Sequence, residues 1–157
     1  MALDATDIKI LAELQRDAAR PIEEIAEAAG LTKTPCWRRI KRLEEAGVIR
    51  GRVALLDQKK LNLGVTVFVS VKTNQHTKEW LSKFARAVRS IPEVVEVYRM
   101  AGDVDYLLKV VAPDIEGYDE IYKRLIEAVE LTDVSSYFAM EAIKASTCLP
   151  LDHCAPE

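Results

Sequence analysis

Nine basic side chains crowd residues 33–60: Lys33, Arg38, Arg39, Lys41, Arg42, Arg50, Arg52, Lys59 and Lys60. Only Glu44, Glu45 and Asp57 oppose them, so the segment carries a net +6 within a chain of net −3. From residue 61 onward there are ten basic and fifteen acidic groups. A cationic segment beside an acidic remainder suits a protein that grips phosphate with one part only. This is binding chemistry rather than bond-making chemistry. His76 and His153 lack an adjacent nucleophile motif, and the carboxylates form no paired constellation. A P-loop, a dinucleotide fingerprint and the HExxH spacing are also missing from the sequence. The expectation is therefore no catalytic residue and no cofactor.

The elements that must position those cations can be read from spacing. Asp4 is a natural N-cap and Asp7 falls in the first turn, where the helix dipole favours an anion. Ile8, Leu11 and Leu14 then predict a buried stripe along a first helix over roughly 5–16. Arg20-Pro21 restarts the chain, and Ile22, Ile25, Ala26 and Ala29 predict a short second helix stopped at Gly30, with Leu31 plugging the corner. Thr32 can cap a third helix with Pro35 harmless in its first turn. Within it Cys36, Ile40 and Leu43 stand at i, i+4 and i+7 and point inward. Lys33, Thr34, Trp37, Arg38, Lys41 and Arg42 fall mainly on other faces. Arg39 is expected to pair with Glu44 or Glu45. A short helix, a Gly-containing turn and a second helix with a basic face make a helix-turn-helix, whose second helix enters the DNA major groove. After Gly47, residues 48–53 read as a small β-ribbon with Arg50 and Arg52 at its tip, a wing for phosphate.

Beyond residue 60 the patterning changes. Val65, Val67, Val69 and Val71 alternate and predict a strand over 65–73. Trp80, Leu81, Phe84, Val88 and Ile91 follow helical spacing up to Pro92. Residues 94–98 and 106–111 predict a hairpin turning at Ala101-Gly102-Asp103. Pro113-Asp114 opens a helix that carries Tyr118, Ile121, Tyr122, Leu125 and Val129 on one face, and a last strand spans about 132–144. The order β-α-β-β-α-β is the ferredoxin-like split. Two helices would cover one sheet face, and the other, expected to be rich in Val, would pair with a second subunit; a two-fold dimer also suits a two-half-site operator.

These readings divide the chain into a winged helix-turn-helix domain (1–52), a linker strand (53–64), a ferredoxin-like domain (65–145) and a tail (146–157). The fold class is α+β. No 18-residue apolar run and no basic leader with an apolar stretch occur, so a soluble cytoplasmic protein without membrane contact is expected. Cys36, Cys148 and Cys154 are widely spaced and odd in number, which reads as reduced thiols. Cys148, His153 and Cys154 cluster in the tail, but three soft ligands fall short of the usual four, and no metal site is assigned.

Along nearly its whole length the chain resembles the Lrp/AsnC (leucine-responsive, feast/famine) family of transcription regulators. The segments that carry the resemblance are Thr34-Pro35-Cys36 leading into residues 38–44, Gly47-Val48-Ile49 with Gly51, Ala54-Leu55-Leu56-Asp57, and residues 102–108. Thr34-Pro35-Cys36-Trp37, Leu63-Gly64-Val65-Thr66, Arg99-Met100-Ala101-Gly102 and residues 136–141 resemble its cysteine-responsive branch. The resemblance implies a sequence-specific regulator of amino-acid metabolism genes, associated with the nucleoid. It further implies dimers joined through the C-terminal domains, which often close into octamers, with an amino-acid effector at an interface. Carried over to this sequence, the effector residues would be Ala101, Gly102, Asp103, Asp105, Ser135, Ser136 and Tyr137. An architectural DNA-coating protein that senses nothing is the alternative.

Overall fold

The computed structural model describes residues 2–154, and the chain forms two compact units. One is built from residues up to Leu55 together with those from Ile143 onward, the other from Leu56–Ala142. The last three residues of the expected tail lie outside the described residues.

The first unit is a trihelical cluster: α1 (Ala5–Arg16), α2 (Ile22–Ala28) and α3 (Lys33–Glu45). Asp4 caps α1 in a reciprocal capping box: its side chain accepts from the Asp7 N–H, and the Asp7 side chain accepts from the Asp4 N–H. The buried face of α1 is Asp7, Ile10, Leu11 and Leu14 rather than the expected Ile8, Leu11, Leu14 stripe. The period was right, but Ile8 is only half-buried and an aspartate takes an interior place, because two arginines of α3 reach it. Gly30 stops α2 at φ +73°, a left-handed turn that a side chain would strain, and Cys36, Ile40 and Leu43 close the core from α3.

The expected wing ribbon at 48–53 and linker strand at 53–64 do not form. The chain from Arg50 to Asp57 takes no regular structure, and Val53, Leu55 and Leu56 stay exposed. Arms of two or three residues around Gly51 are too short to hold a ribbon without a third strand. A 3₁₀ turn, Lys59–Leu61, is the one element before the next strand. Residues 143–154 return to the first unit. Gln15 grips Leu149 through both amide atoms, accepting from its N–H at 2.7 Å and donating to its carbonyl at 3.1 Å, and Leu151 packs against the trihelical core.

The second unit is a four-stranded antiparallel sheet in the order β2-β3-β1-β4, with β1 (Val65–Lys72), β2 (Val94–Arg99), β3 (Tyr106–Ala112) and β4 (Asp133–Phe138). The helices α4 (Lys78–Arg89) and α5 (Ile115–Ala128) connect β1 to β2 and β3 to β4. This is the ferredoxin-like order expected. Alternation assigns the faces: Val67, Val69 and Val71 lie with Leu108, Val110, Trp80, Phe84, Ile121 and Leu125 in one core. The Val residues thus sit beneath the helices, not on the open face. That face carries Phe68, Ser70, Leu107, Lys109, Glu96, Tyr98, Ser135 and Tyr137, a mixed set, because the even positions of β1 are not Val. β4 ends at Phe138 rather than at 144: its pairing with β1 stops where Val67 meets Phe138, and the partner has no further strand residues to offer beyond Val65. Gly64 is required where it stands, since a Cβ there would lie 2.7 Å from the Pro113 carbonyl oxygen.

Candidate nucleic-acid interface and effector site

The exposed side of α3 is built from the residues its inward stripe leaves over. Thr34, Trp37, Arg38, Lys41 and Arg42 are all exposed, and Trp37 shows 52% of its surface. They differ in how they are held. Arg38 and Arg50 have no ion-pair partner among the described residues, so both guanidiniums are free for phosphate or base edges. Lys33 pairs with Glu23 of α2 at 2.6 Å. Lys41 and Arg52 share Glu44, each at 3.0 Å, and the lysine first and the arginine after it hold that carboxyl below the usual range. The wing residue Arg52 is therefore folded back on the end of α3 without any ribbon.

Arg39 and Arg42 are instead tied to the start of α1. Arg39 donates to Asp4 at 2.6 Å and to Asp7 at 2.8 Å, not to Glu44 or Glu45. Arg42 donates to the other oxygen of Asp7 at 2.6 Å. Asp7 is fully buried, whereas Arg42 is half exposed. The hydrogen bond from Arg39 lowers the Asp4 carboxyl below its ordinary range. Cys36, at the heart of this unit, has its thiol pushed up by burial and is no nucleophile.

In the second unit Ala101, Gly102 and Asp103 form the exposed tip between β2 and β3, with Gly102 at φ +126°. Asp103 has no hydrogen-bond partner among the described residues. Asp105 is occupied: its carboxylate accepts the Thr73 N–H at 2.8 Å, its own N–H reaches the Val71 carbonyl, and its carbonyl accepts the Met100 N–H. Ser135 and Tyr137 stand on the open sheet face opposite Ser70 and Phe68. Ser136 points to the other face, where its hydroxyl meets that of Tyr118. β4 is separated from β3 by β1, so Ser135 lies two strand spacings, about 10 Å, from Leu107 on the hairpin. One chain does not bring the turn and β4 together.

Residues 3–44 match the model of the AsnC-type helix-turn-helix domain, and residues 66–149 match that of the Lrp/AsnC ligand binding domain. A glutamate uptake regulatory protein from Zymomonas mobilis is 52% identical over 95% of this chain and 91% of its own length. The chain belongs to the Lrp/AsnC family. Among solved structures, an AsnC family transcriptional regulator from Agrobacterium tumefaciens is 58% identical, with a TM-score of 0.93 over 96% of this chain and 99% of that one. A transcriptional regulator from Neisseria meningitidis in complex with L-Met has 36% identity and a TM-score of 0.93, over 98% of this chain and all of that one.

For this Lrp/AsnC protein the spacing of basic residues finds the cations of α3 but not the buried carboxylate that holds Arg39 and Arg42. Asp7 reads in sequence as a first-turn helix residue. The signal for more was its place on the inward side of α1, three residues before Ile10 and four before Leu11. The contacts of Gln15 with Leu149, and of the Cys148 thiol with the Gln15 carbonyl, join residues more than 130 apart and leave no local pattern. No helix among the described residues is long and apolar enough to cross a membrane.

Proposed function

We propose that this transcription regulator binds specific double-stranded DNA sites through α3 and the segment after it, and changes that binding when a small amino acid occupies the sheet domain. The observation that carries the reading is the split between the two sides of α3. Cys36, Ile40 and Leu43 are fully committed to the core while Thr34, Trp37, Arg38 and Lys41 remain outside. Arg38 reads base edges or phosphate from mid-helix, and Lys33, Arg50 and Arg52 contribute backbone contacts. Arg42 belongs to the same face.

The effector reading rests on the exposed turn at 101–103, with the free carboxylate of Asp103, and on the hydroxyls of Ser135 and Tyr137 on the open face. The distance between turn and β4 within one chain favours a site completed by a second subunit. A homodimer joined through the sheet domains, or an octamer of such dimers, supplies that subunit. Asp105 and Ser136 then act as supports, holding Thr73 and Tyr118. The protein binds and releases; it catalyses no reaction. Cysteine is the first effector to try, and methionine the second, since a relative is known with L-Met bound.

The test is fluorescence anisotropy of the duplex upstream of the protein's own gene, titrated alone and with each amino acid. A shift in affinity with one amino acid, together with loss of site preference in Arg38→Ala, is expected. Tight binding that ignores both base changes and every amino acid would overturn the reading in favour of a DNA-coating role.

A further inference from the structure

We infer that Asp7 is a positioning residue for DNA binding: it holds the Arg42 guanidinium so that its remaining N–H groups face a phosphate. The inference rests on the DNA-binding reading above. Asp7 is 1% exposed, yet both its oxygens are used by charged donors from α3, Arg42 at 2.6 Å and Arg39 at 2.8 Å. Asp4 accepts from Arg39 as well and from the Asp7 N–H, so two carboxylates and two guanidiniums form a charge-balanced quartet across α1 and α3.

The two arginines are unequal. Arg39 spends Nη1 on both carboxylates and is 28% exposed, a position suited to fastening helices. Arg42 spends only Nη2 and is 49% exposed. Its Nε and Nη1 have no partner among the described residues. A guanidinium is planar with five donors, so one fixed edge sets the direction of the others. Arg42 also stands one helical turn after Arg38, which is one turn after Thr34, so the three share one row on α3. A phosphate met by Arg38 or Thr34 continues along the backbone toward Arg42. A lysine at 42 would supply the charge, but its single ammonium could not hold Asp7 and a phosphate in two fixed directions.

One phosphate contact contributes a salt slope of about 0.9, or about fivefold in affinity at 0.15 M salt. The test uses the full-length protein and the upstream duplex in anisotropy titrations between about 0.05 and 0.2 M salt. Arg42→Ala should lose about fivefold and lower the slope by about one. Asp7→Asn should lose affinity by a similar factor, and Asp7→Asn in the Arg42→Ala background should lose nothing more. Multiplicative losses in the double variant, or an Asp7→Asn protein that binds as well as or better than the parent, overturn the inference. Should Asp7→Asn fail to fold by circular dichroism, Arg42→Lys decides: loss as large as in Arg42→Ala supports positioning, and parental affinity refutes it. A parent that binds no duplex at all refutes the DNA reading instead, so the two failures are distinct.

Discussion

Replacing Asp105 with alanine separates support from sensing. The Asp105 carboxylate accepts the N–H of Thr73, a residue only 7% exposed, at 2.8 Å. A hydrogen bond to a charged acceptor contributes about 1.5–3 kcal/mol, and the orphaned buried N–H is what the variant leaves behind. Asp105 is itself partly exposed, so about 2 kcal/mol is expected. For a unit the size of residues 56–142, each kcal/mol moves the midpoint by about 4–8 °C, which gives a fall of about 8–16 °C. The assay is thermal unfolding followed by the fluorescence of Trp80, which is buried in this unit, in a Trp37→Phe background that silences the other tryptophan. Asp105→Asn keeps a neutral acceptor and should lose about half as much. If Asp105→Ala unfolds within about 0.5 kcal/mol of its parent, the Thr73 bond is not structural, and an effector contact becomes the better account of the residue.

Three further outcomes follow from the geometry. Leu43→Ala removes a fully buried side chain from the trihelical core and should cost about 2–5 kcal/mol, read as a lower urea midpoint with Trp37 emission as probe. Glu96 is held below the ordinary carboxylate range, first by the Tyr98 hydroxyl and then by Lys109. Its contribution is therefore present above the unfolded value of about 4.5 and lost as pH falls through the lower folded one. Being partly exposed, it is worth at most about 1 kcal/mol, so Glu96→Gln should be slightly weaker than the parent at pH 7 and equal to it at about pH 3; a gap that widens on acidification would contradict this. Arg52→Ala should lower the salt slope of DNA binding by about one, and an unchanged slope would show that Glu44 keeps Arg52 off the phosphates.

What could be read from residue order alone depended on whether the deciding contacts were local. The inward stripe Cys36, Ile40, Leu43 is set by helical period, and the Val alternation of β1 by strand period, so both elements and the ferredoxin-like order were legible. The nature of the open sheet face is not legible in this way, because alternation says that two faces exist, not which one the helices cover. The wing failed because turn residues around Gly51 suggest a hairpin whose arms are too short to hold themselves. Nearness in sequence points Arg39 to Glu44 and Glu45. Its real partners, Asp4 and Asp7, lie more than 30 residues away and become near only once α1 packs on α3. The two sides of Ser135 and Ser136 follow from the register of β4 against β1, which no local pattern fixes.

The clasp between Gln15 and Leu149 also bears on how the molecule is made. Its two residues are 134 positions apart, so the DNA-reading unit is assembled from both ends of the chain while the sheet domain uses a single continuous stretch. During synthesis the three helices emerge before the sheet domain, and Leu149 and Leu151 after it. The buried apolar residues of the helix cluster all lie between Ile10 and Leu43, so its core closes without Leu149, which is 72% exposed, and Leu151 only adds to it afterwards. Contacts of such long sequence separation form late and slowly. The clasp is thus a late addition to a helix cluster whose core is already complete.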